Sequence, residues 1–107
     1  METQIFEFKD YRVPVRVGGV DFMLDCSAET GAKLKNSGAE LYRLAQELEQ
    51  GEGLQEAMDY CCGLVDALLG EGAVDKIFAS RRRALADVAQ VLNWLTGLAV
   101  KYGENSR

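Results

Sequence analysis

Tyr11-Arg12-Val13-Pro14-Val15-Arg16-Val17-Gly18-Gly19-Val20-Asp21-Phe22-Met23-Leu24-Asp25 is the stretch whose reading decides the fold. Two alternating runs flank a Gly-Gly pair, and glycine tolerates the positive φ that two-residue hairpin turns require. That loop sets the register. Val17 then lies opposite Val20, Val15 opposite Phe22 and Val13 opposite Leu24, all on one face. The other face sets Arg16 against Asp21 and Arg12 against Asp25, opposite charges across the ladder. Pro14 falls at a non-hydrogen-bonded pair, so its missing N–H costs nothing inside the hairpin, and it marks the outer side of that strand as an edge. Upstream, Ile5 to Lys9 also alternates and is expected to form a short additional strand.

Downstream the period changes from two to 3.6. Ser27 reads as an N-cap with Glu29 in the first turn. Leu34, Leu41, Leu44, Ala45 and Leu48 form one stripe ended by Gly51, which predicts a single helix over about 28–50, with Asn36-Ser37-Gly38 as its weak point. A second helix is expected over 54–69, between the Gly51-Glu52-Gly53 and Gly70-Glu71-Gly72 punctuations. Its apolar residues, from Leu54 through Cys61, Cys62 and Val65 to Leu69, cover a wide arc, which makes it the central helix. Residues 73–78 predict one short turn with Ile77-Phe78 as an apolar plug. Ser80 is the expected cap of a last helix over about 81–102. That helix carries Leu85, Val88, Val91, Leu92, Leu95, Ala99 and Tyr102 on one face. Ala86, Ala89, Asn93, Thr96, Gly97 and Val100 lie on the reverse, with Trp94 at its edge. A solvated helix back normally carries Lys and Glu, so the small, uncharged reverse predicts a second packing face. The tail 104–107 is expected to fray. The fold class is therefore α+β, mostly helical: one domain over 1–107, with an N-terminal β-hairpin (11–25), three main helices and one short helical turn.

Composition narrows the chemistry. The chain has 107 residues, 12 Lys+Arg against 17 Asp+Glu for a net charge of −5, and no histidine. Without imidazole there is no Ser-His-Asp or Cys-His dyad and no histidine metal ligand. The net charge disfavours nucleic acid and anionic lipid as partners. No run of about 18 apolar residues is available to cross a membrane, and Met1-Glu2-Thr3-Gln4 lacks a signal-peptide pattern, so a cytoplasmic location is expected. Cys26, Cys61 and Cys62 are an odd set with two neighbours, which argues against a disulfide framework and for a reducing compartment. The glycine clusters lack the Gly-Lys-Ser/Thr of a phosphate loop and carry a glutamate where an anion would sit, so they read as helix punctuation. Cys61-Cys62 lacks metal-ligand spacing and reads as core. Arg81-Arg82-Arg83 is the one basic run. Cations at a helix start oppose its dipole, which points to a use, with an acidic protein surface favoured over DNA. No catalytic, cofactor-binding or metal-binding residue is expected, and no cofactor; the residues describe a non-enzymatic interaction protein.

Three segments resemble the tail assembly chaperones of long-tailed, non-contractile (siphophage-type) bacteriophages and prophages. Val15 to Ser27 is similar to their opening hairpin running straight into a helix. Val65 to Phe78 is similar to their mid-chain Leu-Gly-Glu-Gly-type turn and following plug. The last helix, with Trp94-Leu95, is similar to their final element. The likeness spans about residues 13–102 and is structural rather than catalytic. The stretch before Tyr11 and the arginines at 81–83 depart from it. The resemblance implies a homo-oligomeric chaperone in the bacterial host cytoplasm that coats the tape-measure protein, with the tail-tube protein as a second partner through a frameshifted longer form. Candidate partner-binding residues on that reading are the apolar arc of the central helix, Ile77, Phe78, Ala89, Asn93, Trp94, Gly97 and Val100; the basic run adds Arg81, Arg82 and Arg83 as candidate contacts to an acidic partner. The competing reading is a small regulatory or adaptor module that dimerises through the last helix.

Overall fold

A computed structural model describes residues 2–7 and 10–103. An N-terminal hairpin of β1 (Arg12–Val17) and β2 (Val20–Asp25) leads into five helices: α1 (Ala28–Asn36), α2 (Gly38–Glu49), α3 (Leu54–Leu69), α4 (Ala73–Ile77) and α5 (Leu85–Tyr102). The class is α+β and mostly helical, as expected. The hairpin has the predicted register, from Arg12 opposite Asp25 to Val17 opposite Val20. Its turn holds Gly18 and Gly19 at φ 57° and 82°, the primed geometry that matches strand twist. Arg16 donates to Asp21 from Nε at 2.8 Å. The pairing expected between Arg12 and Asp25 is replaced by others. Arg12 donates to the Asp10 carboxylate from its backbone N, Nε and Nη2, and Asp25 turns to the start of α1. Residues 5–7 of the expected upstream strand have no regular secondary structure. Phe8 and Lys9 lie outside the described residues, as does the tail at 104–107.

A two-stranded hairpin alone is marginal in water. This one is held by burying Val15, Val17 and Leu24 in the common core, each fully buried side chain contributing about 1.5–3 kcal/mol. α3 is the centre: it packs on α5, α4, α2, α1 and β2. Cys61, Val65 and Leu68 of α3 share the core with Val88, Leu92, Leu95 and Ala99 of α5. The wide apolar arc of the central helix is consumed this way, except that Leu54 and, on α2, Ala45 are exposed.

Two helix boundaries differ from expectation. The helix expected over 28–50 divides at Ser37, whose buried hydroxyl donates to the Leu34 carbonyl at 2.7 Å. That bond competes with the backbone ladder between the poor helix formers Asn36 and Gly38. The last helix starts at Leu85 rather than 81, with Ala84 as N-cap and no side-chain cap from Ser80. Arg83 bonds Asp75 of α4 and Arg81 bonds Asp87 in the first turn of α5, and these pairs hold the arginines in the connecting segment. With the run ahead of the helix, Asp87 stands in the first turn, where a carboxylate suits the dipole.

Candidate partner-binding surface

The start of α1 fixes one wall of the surface. Ser27 caps it by accepting from Thr30 N, and Asp25 accepts from Ser27 N and Thr30 Oγ1, both at 2.9 Å. Burial pushes the Asp25 carboxyl up, but the donors from Ser27 and Thr30 and the charge of Lys33 outweigh it, so its pKa lies below the ordinary value. On the far side of the core, Asp66 of α3 accepts from Gly72 N at 3.3 Å and Val74 N at 2.9 Å, and so caps α4. The cap seats Ile77 and Phe78 inward, 6% and 8% exposed. Ile77 also packs under the hairpin turn, where a Cβ on Gly18 would meet its Cγ2 and carbonyl oxygen at 3.5 Å. Ile77 and Phe78 therefore lie in the core, where the sequence predicts exposed plug residues. The hairpin tip that lies over Ile77 is remote in the chain.

The outer face of α5 is different. Ala86, Ala89, Asn93, Trp94, Gly97 and Val100 are all exposed, Trp94 at 48% and Val100 at 70%. From Val88 to Val100 the helix has no charged residue. Gly97 sits mid-helix, and a Cβ built on it finds nothing within 4 Å. Nothing in the described chain requires a glycine there, and it costs the helix about 1 kcal/mol relative to alanine. Thr96, expected on this face, is half-buried and donates to the Leu92 carbonyl. Tyr102, expected in the core stripe, is 48% exposed because it stands at the helix end.

Beside this face runs a groove of about 650 Å³ between α1 and α5, walled by Ala28, Gly31 and Ala32 on one side and by Thr96, Ala99 and Val100 on the other. Sequence reasoning passed over it, although the Ala28, Gly31, Ala32 spacing of small residues on one helical face was a usable signal. Lys35 borders it, and the arginine run precedes the other end of α5, with Arg81 and Arg83 paired to Asp87 and Asp75. Arg81 lies 5.9 Å from the Phe78 ring centroid, and Arg82 is exposed. On α2 and α3, Glu40, Glu47 and Glu56 surround Arg43 and hold its pKa above the ordinary value.

Thiols are placed where reactivity is low. Cys26 and Cys61 are buried and Cys62 half-buried, and burial, chiefly, pushes all three pKa values up, so they remain protonated at neutral pH. Among the described residues no three Cys, Asp or Glu side chains gather as a metal site, and no helix is long and apolar enough to cross a membrane. In comparisons with known proteins, no family model matches the chain, and neither a curated protein nor a solved structure matches it.

Proposed function

We propose that this chain is a non-enzymatic interaction protein that holds a helix of a partner along the outer face of α5. The observation that carries the reading is Gly97 at the middle of an uncharged, exposed helix face with open space above it. A helical glycine lets another backbone approach closely, and Trp94 and Val100 supply apolar area beside it. The resemblance to siphophage tail assembly chaperones supports the tape-measure protein as the client, with the tail-tube protein as the partner of a longer form, in the cytoplasm of the bacterial host. Co-expression with a siphophage-type tape-measure protein tests this: the expected result is a soluble co-purifying complex lost in Gly97→Lys. A client that stays insoluble and unbound overturns it.

The absence of charge from Val88 to Val100 also favours a second reading, in which two copies pack α5 against α5 as a dimeric adaptor. Light scattering separates the two. On this reading the wild type is a dimer without any client, and Gly97→Lys makes it a monomer.

A further inference from the structure

We infer that the outer edge of β2 takes an extended strand of a partner protein, with a basic residue opposite Asp21. The inference is independent of the client reading and uses no part of α5. With the turn at Gly18-Gly19, the pairs Val17–Val20, Val15–Phe22 and Val13–Leu24 exchange hydrogen bonds, so the backbone N–H and C=O of Asp21 and Met23 point away from β1. Among the described residues none bonds to them. The matching groups on β1 are blunted: Pro14 has no N–H, and Arg12 N donates to Asp10. β2 contains no proline, and its register runs without a bulge. One hairpin thus closes one edge to a further strand and leaves the other open, and an open edge is a template for strand addition.

Charge selects the occupant. β2 carries Asp21 and Asp25 and no cation. Centred on Met23, a second copy of β2 would set Asp21 against Asp25 twice, and like charges directly across a ladder are destabilising. The hairpin itself shows what β2 accepts instead. Arg16 stands opposite Asp21, its Nε donating to Oδ1 at 2.8 Å, and Val15 stands opposite Phe22. The exposed Asp21 carboxylate has lone pairs left for a second cation from the open side. Met23 is 44% exposed and Phe22 half-buried, so apolar residues of the added strand have area to cover on both faces. On the outer edge the residue opposite Met23 falls in a hydrogen-bonded pair and must keep its N–H. An alternating apolar and basic segment without a central proline meets all of these demands.

Amide hydrogen exchange, read residue by residue by NMR, tests this on the full chain. The probe is a synthetic peptide, the Arg12–Val17 sequence with Pro14→Thr, blocked at both ends. In the free chain the Asp21 and Met23 amides are expected to exchange faster than those of Val20, Phe22 and Leu24, which bond to β1. With the probe at about ten times its Kd, both should slow about tenfold. The same peptide with its proline retained should protect neither. Asp21→Lys should weaken the probe's binding by about tenfold, and a probe with glutamate in place of its second arginine should restore it. Four results would each overturn the inference: both amides already as slow as Phe22 in the free chain, protection that rises with protein concentration alone, a probe that slows neither amide up to millimolar concentration, or a loss in Asp21→Lys that the glutamate probe fails to restore.

Discussion

Replacing Gly97 by alanine adds a methyl group at a helix position where the folded chain offers neither a contact nor a clash, since no heavy atom lies within 4 Å of the new Cβ. Packing therefore contributes nothing, and the change reduces to helix propensity, about 1 kcal/mol in favour of alanine. For a domain of this size that raises Tm by about 4–8 °C. Gly97→Lys should also stabilise, by about 0.5–1 kcal/mol, because lysine is a good helix former whose ammonium reaches water. The same lysine must be desolvated, or must hold off a partner helix, when the face is covered. An unpaired buried charge costs several kcal/mol, which weakens binding by more than about a hundredfold. Trp94 is the sole tryptophan and lies on this face, so a blue shift of its emission reports binding directly, while thermal melts of the unbound chain report stability. Stability and affinity should thus move in opposite directions for one substitution. A lower Tm for Gly97→Ala would mean that the chain itself covers this face, and unchanged binding by Gly97→Lys would mean that no partner does; either result refutes the reasoning.

Asp66→Ala leaves the backbone N–H groups of Gly72 and Val74 without their acceptor and should cost about 1–2 kcal/mol in urea titrations, loosening α4. Ile77→Ala should cost about 2–4 kcal/mol as a core deletion while leaving client affinity unchanged at temperatures where the variant is folded. For Asp25, a pKa lowered in the folded state means that its contribution is fully present above about pH 4 and is lost as pH falls through the lowered value. Asp25→Asn should flatten that part of the stability–pH curve measured by denaturant titration. Cys26 and Cys61, buried and protonated, should resist alkylation under native conditions and react at once in denaturant, read by mass spectrometry.

The parts of the fold legible in the sequence are those decided by neighbours in the chain. The Gly18-Gly19 turn locks the strand register, because a slip of one residue would put Val15 and Leu24 in water. α3 is bounded by the glycines that punctuate it, and Ser27 caps α1 through a bond to Thr30. What was not legible depends on tertiary partners. Ser80 is a good cap by type, yet α5 starts at Leu85 behind Ala84, and Arg81 and Arg83 of the intervening segment pair with Asp87 and Asp75. Asp66 counts as a polar-face residue in any helical projection, and only the chain reversal at Gly70–Gly72 brings the α4 backbone to its carboxylate. Ile77 and Phe78 look like surplus apolar area until the hairpin tip is laid over Ile77. The candidate surface divides the same way. The reverse of α5 is readable from helical periodicity, whereas the groove needs α1 and α5 side by side.

Core and surface on α5 place opposite demands on one helix. Val88, Leu92, Leu95 and Ala99 are buried, and they account for α5's place in the fold. The outer residues make no such contribution: Gly97 lowers helix stability, and Trp94 and Val100 leave apolar area in water. A face under no constraint but solubility fills with Lys and Glu, which would also supply stabilising pairs along the helix. This chain places such pairs on α2, where Arg43 meets Glu40 and Glu47, and leaves α5 without charge from Val88 to Val100. The costs of that arrangement fall on the free chain, and the proposed partner helix is what would recover them, by lying against Gly97 and taking Trp94 and Val100 out of water.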